Sequence, residues 1–371
     1  MDRRKFIGAS LSGLGLTSFG CAFCMQNAGD SLLTRAGTEH TREAMFYRLL
    51  PNGAKCELCP IRCSVTLNRP GDCKTRTFRD GKLYTEAYGN PYYTNIVKPE
   101  SLSLYHFSPG SDLFSFGTAG CNLQCLFCKV NSVSQKSPHQ TSHKVFFPED
   151  IIAYCKKKEI KTIAYSYTEP IAFFEYMLET AKLARQSNIR NVITSNGYIN
   201  PAPLKMLCQY TDAAVIDVKA FSDATYQKLS CGTIEPVFDS LKILKDEGVW
   251  LEISHLLVPG YTDNYDLIGE MGNWMVQNGF KHTPFHINRF IPAYRLSQLP
   301  PTADDSILKA GEILRSSGLN YVYADDPKAN TTFCPNCRNP LIIRQNSTIS
   351  SLAISSGACS NCGYKVEGVW N

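Results

Sequence analysis

The sequence predicts an α/β protein with a partial (β/α)6-type barrel at its core and a cysteine-rich segment on either side. Three observations lead there. From Leu113 onward, short β-branched or aromatic runs alternate with longer stretches of helical periodicity, the pattern of parallel β/α units with right-handed crossovers. The units number about six, which makes an open or partial barrel rather than a closed eightfold one. Eleven of the 16 cysteines fall into three short-spaced groups, one inside the β/α region and one in each flank.

Taken in order, the chain opens with a leader and linker over residues 1–43. Asp2-Arg3-Arg4-Lys5-Phe6-Ile7, followed by a weakly apolar Gly/Ser-rich stretch, is similar to a twin-arginine export signal. A compact, turn-rich segment with four cysteines occupies 44–110. The core spans 111–330, with strands expected at Leu113–Gly117, Thr162–Ser166, Asn191–Ser195, Ala214–Lys219, Leu251–Val258, Phe285–Phe290 and Tyr321–Ala324. Helices are expected at Pro148–Lys158, Ile171–Ser187, Pro201–Gln209, Val237–Gly248, Asn264–Asn278 and Ala303–Ser317, several opening on a Pro, Ser, Asp or Asn suited to a first turn or cap. Residues 331–371 form a short, cysteine-paired module.

Composition narrows the classes. With 371 residues, 43% hydrophobic and 19% charged, the chain is globular and long enough for one large domain with appendages. A net charge of +5, spread along the chain, supplies no basic stripe for nucleic acid. Short-spaced cysteines in a chain this size read as metal ligands, while Cys21, Cys24, Cys155, Cys208 and Cys231 are scattered and read mostly as small buried hydrophobes.

The densest chemistry is Cys121-Asn-Leu-Gln-Cys125-Leu-Phe127-Cys128, just past the first core strand. Three thiolates at this spacing hold three corners of a [4Fe–4S] cube, whereas an electron-transfer cluster takes four. The next cysteine is Cys155, so one iron is left open, and an open metal position is where a substrate coordinates. Its place at the carboxyl end of a strand is where α/β folds keep active sites. Asp217 and Lys219 alternate on one strand and face the same side, an arrangement that is costly in a barrel interior unless the two are paired or used. Cys334-x2-Cys337 and Cys359-x2-Cys362 have the spacing of a zinc-ribbon or rubredoxin-like knuckle pair, for zinc or mononuclear iron. Cys56, Cys59, Cys63 and Cys73 form a further set, suited to structural zinc or an auxiliary iron–sulfur cluster.

In this order and company, the motifs resemble the radical S-adenosylmethionine (SAM) superfamily, and within it the radical SAM enzyme of the AmmeMemoRadiSam system. The residues are Cys56-Glu-Leu-Cys-Pro-Ile-Arg-Cys63, Gly117-Thr-Ala-Gly-Cys121, Tyr167-Thr-Glu-Pro170, Thr194-Ser-Asn-Gly-Tyr198, Asp217-Val-Lys219, His286-Ile-Asn-Arg-Phe290 and Gly368-Val-Trp370. The resemblance implies a cluster on Cys121, Cys125 and Cys128 whose open iron takes SAM, and reductive cleavage to a 5′-deoxyadenosyl radical that abstracts hydrogen from a substrate. It further implies that Phe127 shields cluster or adenine, that Glu169 meets the methionine amino group, that Ser195, Asn196, Asp217 and Lys219 contact SAM, and that His286 contacts SAM or substrate. Local readings stand beside these: a strand-ending turn for Glu169-Pro170, an Asn-Gly turn for Ser195 and Asn196, an ion pair for Asp217 and Lys219, a structural histidine for His286. Implied partners are a flavodoxin- or ferredoxin-like donor and proteins of the Memo and AMMECR types. Two alternatives remain: a glycyl-radical activase of the pyruvate formate-lyase type, and a non-catalytic metal-scaffolded binding module. Against the activase, Ser254 stands where those enzymes carry a basic residue. SAM and low-potential donors point to cytoplasmic catalysis, the Arg3-Arg4 leader to export or membrane tethering.

Overall fold

The computed structural model describes residues 40–325, 330–345 and 348–370. The twin-arginine-like leader, Cys21 and Cys24 lie outside the described residues. Among the described residues no helix is long and apolar enough to cross a membrane.

The core is one eight-stranded sheet. Its strands are β1 (Tyr93–Val97), β2 (Leu113–Gly117), β3 (Thr162–Tyr165), β4 (Arg190–Ser195), β5 (Ala213–Val218), β6 (Trp250–Leu257), β7 (Phe285–Arg289) and β8 (Val322–Ala324). They lie side by side in chain order, parallel from β2 to β8, with β1 antiparallel at the edge of β2. Helices α1 (Pro148–Lys157), α2 (Phe174–Gln186), α3 (Pro201–Cys208), α4 (Asp223–Ser230), α5 (Glu235–Asp246), α6 (Tyr265–Gln277) and α7 (Asp304–Ser316) fill the crossovers. Every residue of β2 and β3 is buried. That is why parallel strands read as continuous apolar runs. The strand positions expected from sequence hold to within a residue, with two additions. The edge strand β1 was assigned to the N-terminal segment, so the core begins before residue 111. Helix α4 is short and polar, capped by Ser222 accepting from the Thr225 amide.

Period-two alternation sorts the strand side chains. One set, including Phe114, Phe116, Ile163, Tyr165, Ile193 and Ile216, packs outward under the helices. The other points inward. At the amino ends of the strands it is small and apolar: Leu113, Ala164, Val192, Ala213 and Val215 close on Leu104 and Phe107. The segment carrying those two residues plugs that end. Its Tyr105 and His106 amides donate to the buried Glu252 carboxylate at 2.9 and 2.7 Å, and His286 Nε2 bonds the same group at 2.7 Å. The C-terminal module docks on this plug. Arg344 donates to the Tyr105 carbonyl at 2.7 Å, and Val369 donates to that of His106 at 2.7 Å. The N-terminal segment seats on the other side through a buried Arg76–Glu175 ion pair of 2.6 Å.

His106 is enclosed, its ring nitrogens meeting the Glu367 carbonyl at 2.7 Å and the Tyr323 hydroxyl at 2.5 Å. Burial pushes its pKa down to about 4, against the pull of Glu252 and the Glu367 carbonyl. The unfolded chain takes a proton on this histidine below about pH 6.5, while the folded chain stays neutral until about 4. Stability is therefore lost as pH falls through that window, by about 3 kcal/mol. Urea unfolding of wild type and His106→Gln at pH 7 and pH 4 checks this: wild type should lose about 3 kcal/mol relative to the variant.

Candidate active site

At the carboxyl ends of the strands the inward set turns polar, and these residues surround a cavity of about 470 Å³. Its wall takes residues from the ends of β2 to β7, so the sheet curls round it. Cys121, Cys125 and Cys128 enter from the loop after β2. Glu169 comes after β3, Thr194, Ser195 and Asn196 from β4, Asp217 and Lys219 from β5, Ser254 and Leu256 from β6, and Asn288 from β7. The cavity lies within the size range of small-molecule sites.

The cysteine loop starts where Gly117 lets two chains touch. A Cβ there would lie 2.2 Å from the Ser166 carbonyl. Beyond it the loop is held at several points. Leu126 donates to the Leu229 carbonyl at 2.8 Å and Gln124 to that of Ser230 at 3.1 Å, so the unexpected helix α4 is the loop's main support. Asn122 donates to the Tyr198 carbonyl at 2.7 Å and Gln135 to that of Leu123 at 3.0 Å. Cys125 and Cys128 each sit 3.3 Å from a serine hydroxyl, Ser230 and Ser134. Burial raises the thiol pKa values of Cys121 and Cys125, with the Lys219 charge opposing at Cys125. Thiols in such a place stay protonated until a metal ion compensates the charge.

Glu169 is 3% exposed and carries three bonds. Its Oε1 accepts from Ser195 Oγ at 2.7 Å and from the Ile171 amide at 3.1 Å, and its Oε2 from the Asn196 amide at 2.9 Å. Burial lifts its pKa to about 6 despite those donors and Lys219. A carboxylate has about four acceptor sites, so one remains, on Oε2. Ser195 and Asn196 are brought to the cavity as expected, but their polar atoms are already engaged. Ser195 Oγ accepts from the Gly197 amide at 3.1 Å. Asn196 donates to Asn122 Oδ1 at 2.8 Å, accepts from the Tyr198 amide at 2.9 Å and lies 4.0 Å from Cys121 Sγ. The turn and the site are the same object here.

Lys219 and Asp217 form an ion pair of 2.9 Å on the cavity wall, and the Lys219 ammonium lies 5.9 Å from the Phe127 ring centre. The Lys219 pKa is raised, because the pull of Asp217 and Cys125 outweighs the larger single effect of burial. The pair is thus an ion pair, and it stands on the cavity wall. His286 is different. It is 3% exposed, bonded to Glu252, stacked against Tyr323 and absent from the cavity wall. Asn288, two residues on, reaches the cavity and donates to Ser254 Oγ at 2.8 Å. Thr194 was missed too. Its buried Oγ1 has no partner among the described residues, and Thr194 lines the cavity. At the mouth, Tyr167 holds a positive φ of 74° and stacks on Tyr93 with ring centres 4.2 Å apart.

The two flanking cysteine sets are elsewhere. Cys334, Cys337, Cys359 and Cys362 converge within 4.8 Å of one another in the C-terminal module, and Cys56, Cys59, Cys63 and Cys73 line a separate space in the N-terminal segment.

A family model described as the Radical SAM superfamily matches residues 116–269, the span from the end of β2 into α6 that carries the three cavity thiols, Glu169, Asp217 and Lys219. An uncharacterized protein of Methanocaldococcus jannaschii is 35% identical over 332 residues, covering 88% of this chain and 99% of that protein. The pyruvate formate-lyase-activating enzyme of Staphylococcus epidermidis is 24% identical over 54% of this chain and 88% of its own length. The pyruvate formate-lyase 1-activating enzyme of Escherichia coli is 20% identical over 58% of this chain and 93% of its own. With its cysteine loop, its strand-end acids and base and these relatives, the chain belongs to the radical SAM superfamily, whose members are enzymes.

Proposed function

We propose that this enzyme, of the AmmeMemoRadiSam type, binds a [4Fe–4S] cluster on Cys121, Cys125 and Cys128 and SAM in the adjoining cavity, and draws a hydrogen atom from a substrate admitted past Tyr167. One observation carries the reading: the cavity wall holds three thiols and no fourth, facing a carboxylate, an ion pair and an unpartnered hydroxyl. Among the described residues those three thiols form no close single-ion group, which suits a cube that puts each on a different iron. When bound, the cluster supplies the electron that cleaves SAM to methionine and a 5′-deoxyadenosyl radical. The chain's own residues do the rest. The free lone pair of Glu169 Oε2 receives the methionine ammonium. Thr194 Oγ1 and the Ser254–Asn288 pair offer hydrogen bonds to hydroxyl or carboxylate groups, and Phe127 covers the apolar side.

The type assignment rests on the motif set from Cys56 to Trp370. The activating enzymes match little more than half of this chain, so they support the core chemistry alone. A neutral Ser254, occupied with Asn288, also weighs against the activase role. A flavodoxin- or ferredoxin-like donor, co-operation with Memo- and AMMECR-type proteins and catalysis on the cytoplasmic side complete the proposal. The C-terminal set is assigned zinc. Sulfurs 3.6 and 3.7 Å apart match the roughly 3.8 Å spacing of thiolates held tetrahedrally at about 2.3 Å.

Anaerobic reconstitution with dithionite and SAM, read by chromatography, should yield 5′-deoxyadenosine and methionine, and Cys128→Ala should yield neither. Cluster-loaded wild type that forms no 5′-deoxyadenosine contradicts the proposal. Glu169→Gln should weaken SAM binding by about 10- to 100-fold, the worth of a charged hydrogen bond, with the cluster absorbance retained. Equilibrium dialysis checks this. Cys359→Ser should lose one zinc per chain while keeping the cavity cluster, as metal analysis would read.

A further inference from the structure

We propose that Cys56, Cys59, Cys63 and Cys73 hold a second [4Fe–4S] cluster, packed directly behind the loop that carries Cys121, and that zinc occupies only the C-terminal set. The two flanking four-cysteine sets differ in geometry. The C-terminal thiols pair at 3.6 and 3.7 Å, and all four lie within 4.8 Å of one another. Among the described residues no such close group is formed by the N-terminal thiols, although all four line one space with Leu58, Ile61 and Ala172. Among the described residues, Cys121, Cys125 and Cys128 likewise form no such close group. A single ion draws its thiolates together, whereas a cube fixes each one on a separate iron and keeps them apart. By spacing, the N-terminal set therefore belongs with the cavity thiols.

A buried cation gives a second, independent sign. Arg76, 1% exposed, stands on the wall of this space. Its Nη1 donates to the Met45 carbonyl at 2.9 Å and its Nη2 to Glu175 at 2.6 Å, while its buried Nε has no partner among the described residues. A buried donor without an acceptor is costly. An anionic cluster brings sulfur acceptors to that wall, both the thiolates and the inorganic sulfides. The remaining lining side chains are apolar apart from Asn122.

The site is also joined to the first one. A Cβ on Gly120, whose φ is 99°, would lie 2.6 Å from the Cys73 carbonyl. Only glycine lets the two cysteine loops approach so closely. Asn122 lines the second space and accepts from Asn196, which in turn reaches Cys121. Thr75, two residues past Cys73, donates to the Ala172 carbonyl at 2.7 Å, just beyond Glu169-Pro170.

Acid-labile sulfide, which neither zinc nor mononuclear iron contributes, decides the matter on the anaerobically reconstituted full chain. The wild type should hold about eight sulfides, and Cys59→Ala/Cys63→Ala and Cys121→Ala/Cys125→Ala/Cys128→Ala about four each. In the reduced wild type, electron paramagnetic resonance should show two neighbouring clusters whose spins interact, with the interaction lost in the triple variant. If Cys59→Ala/Cys63→Ala does not fold, wild type and the triple variant suffice. About four sulfides in the wild type with two zinc ions per chain, or a folded triple variant without sulfide, overturns the proposal. The sulfide count does not depend on SAM cleavage, so this inference and the proposed activity fail separately.

Discussion

One carboxylate organises the active end of the molecule. Glu169 gathers the Ile171 amide, the Ser195 hydroxyl and the Asn196 amide, and so locks the loops after β3 and β4 into one piece. Asn196 then passes the constraint to Asn122 and Cys121. The cysteine loop is thereby set against the wall on which the acid's last lone pair faces the cavity. A buried carboxylate with unsatisfied oxygens would be costly. With three donors it is stable, yet it keeps a raised pKa of about 6 and one acceptor for a ligand. The same group holds the site in shape and lines the cavity.

The opposite end of the sheet follows the same logic with another acid. Glu252 collects the Tyr105 and His106 amides and the His286 ring, and the plug it anchors is the platform for the C-terminal module. Burial alone would raise the Glu252 pKa, but His286 and His106 hold it below the usual range. The interior is thus layered: an apolar floor, a buried ionic plug beneath it and a polar chamber above.

Much of this was legible in the sequence, for a physical reason. Strands buried on both faces, such as Leu113–Gly117 and Thr162–Tyr165, leave continuous apolar runs that end at Gly, Ser or Asp, so their carboxyl ends and the residues there could be read directly. The edge strand Tyr93–Val97 is half exposed and alternates weakly, and it was lost in the N-terminal segment. His286 shows a subtler limit. Alternation fixes which face a side chain takes, not its height above the floor. His286 and Asn288 share the inner face, and only Asn288 is high enough to reach the cavity. Thr194 escaped for the same reason, one step below Asn196. Helix α4 carries too few apolar residues for a periodic signal, although its Ser222 cap was there to be read. The different spacing of the two flanking cysteine sets appears only in three dimensions, since loop lengths between cysteines do not fix sulfur positions.

The central claim is that the open iron of the cavity cluster is filled by SAM. Electron–nuclear double resonance on the reduced, cluster-loaded chain, with SAM labelled with nitrogen-15 at its amino group and oxygen-17 at its carboxylate, tests it most directly. The account predicts hyperfine coupling of both labels to the cluster, lost in Cys128→Ala. An intact cluster that shows no coupling to either label at saturating SAM would contradict it.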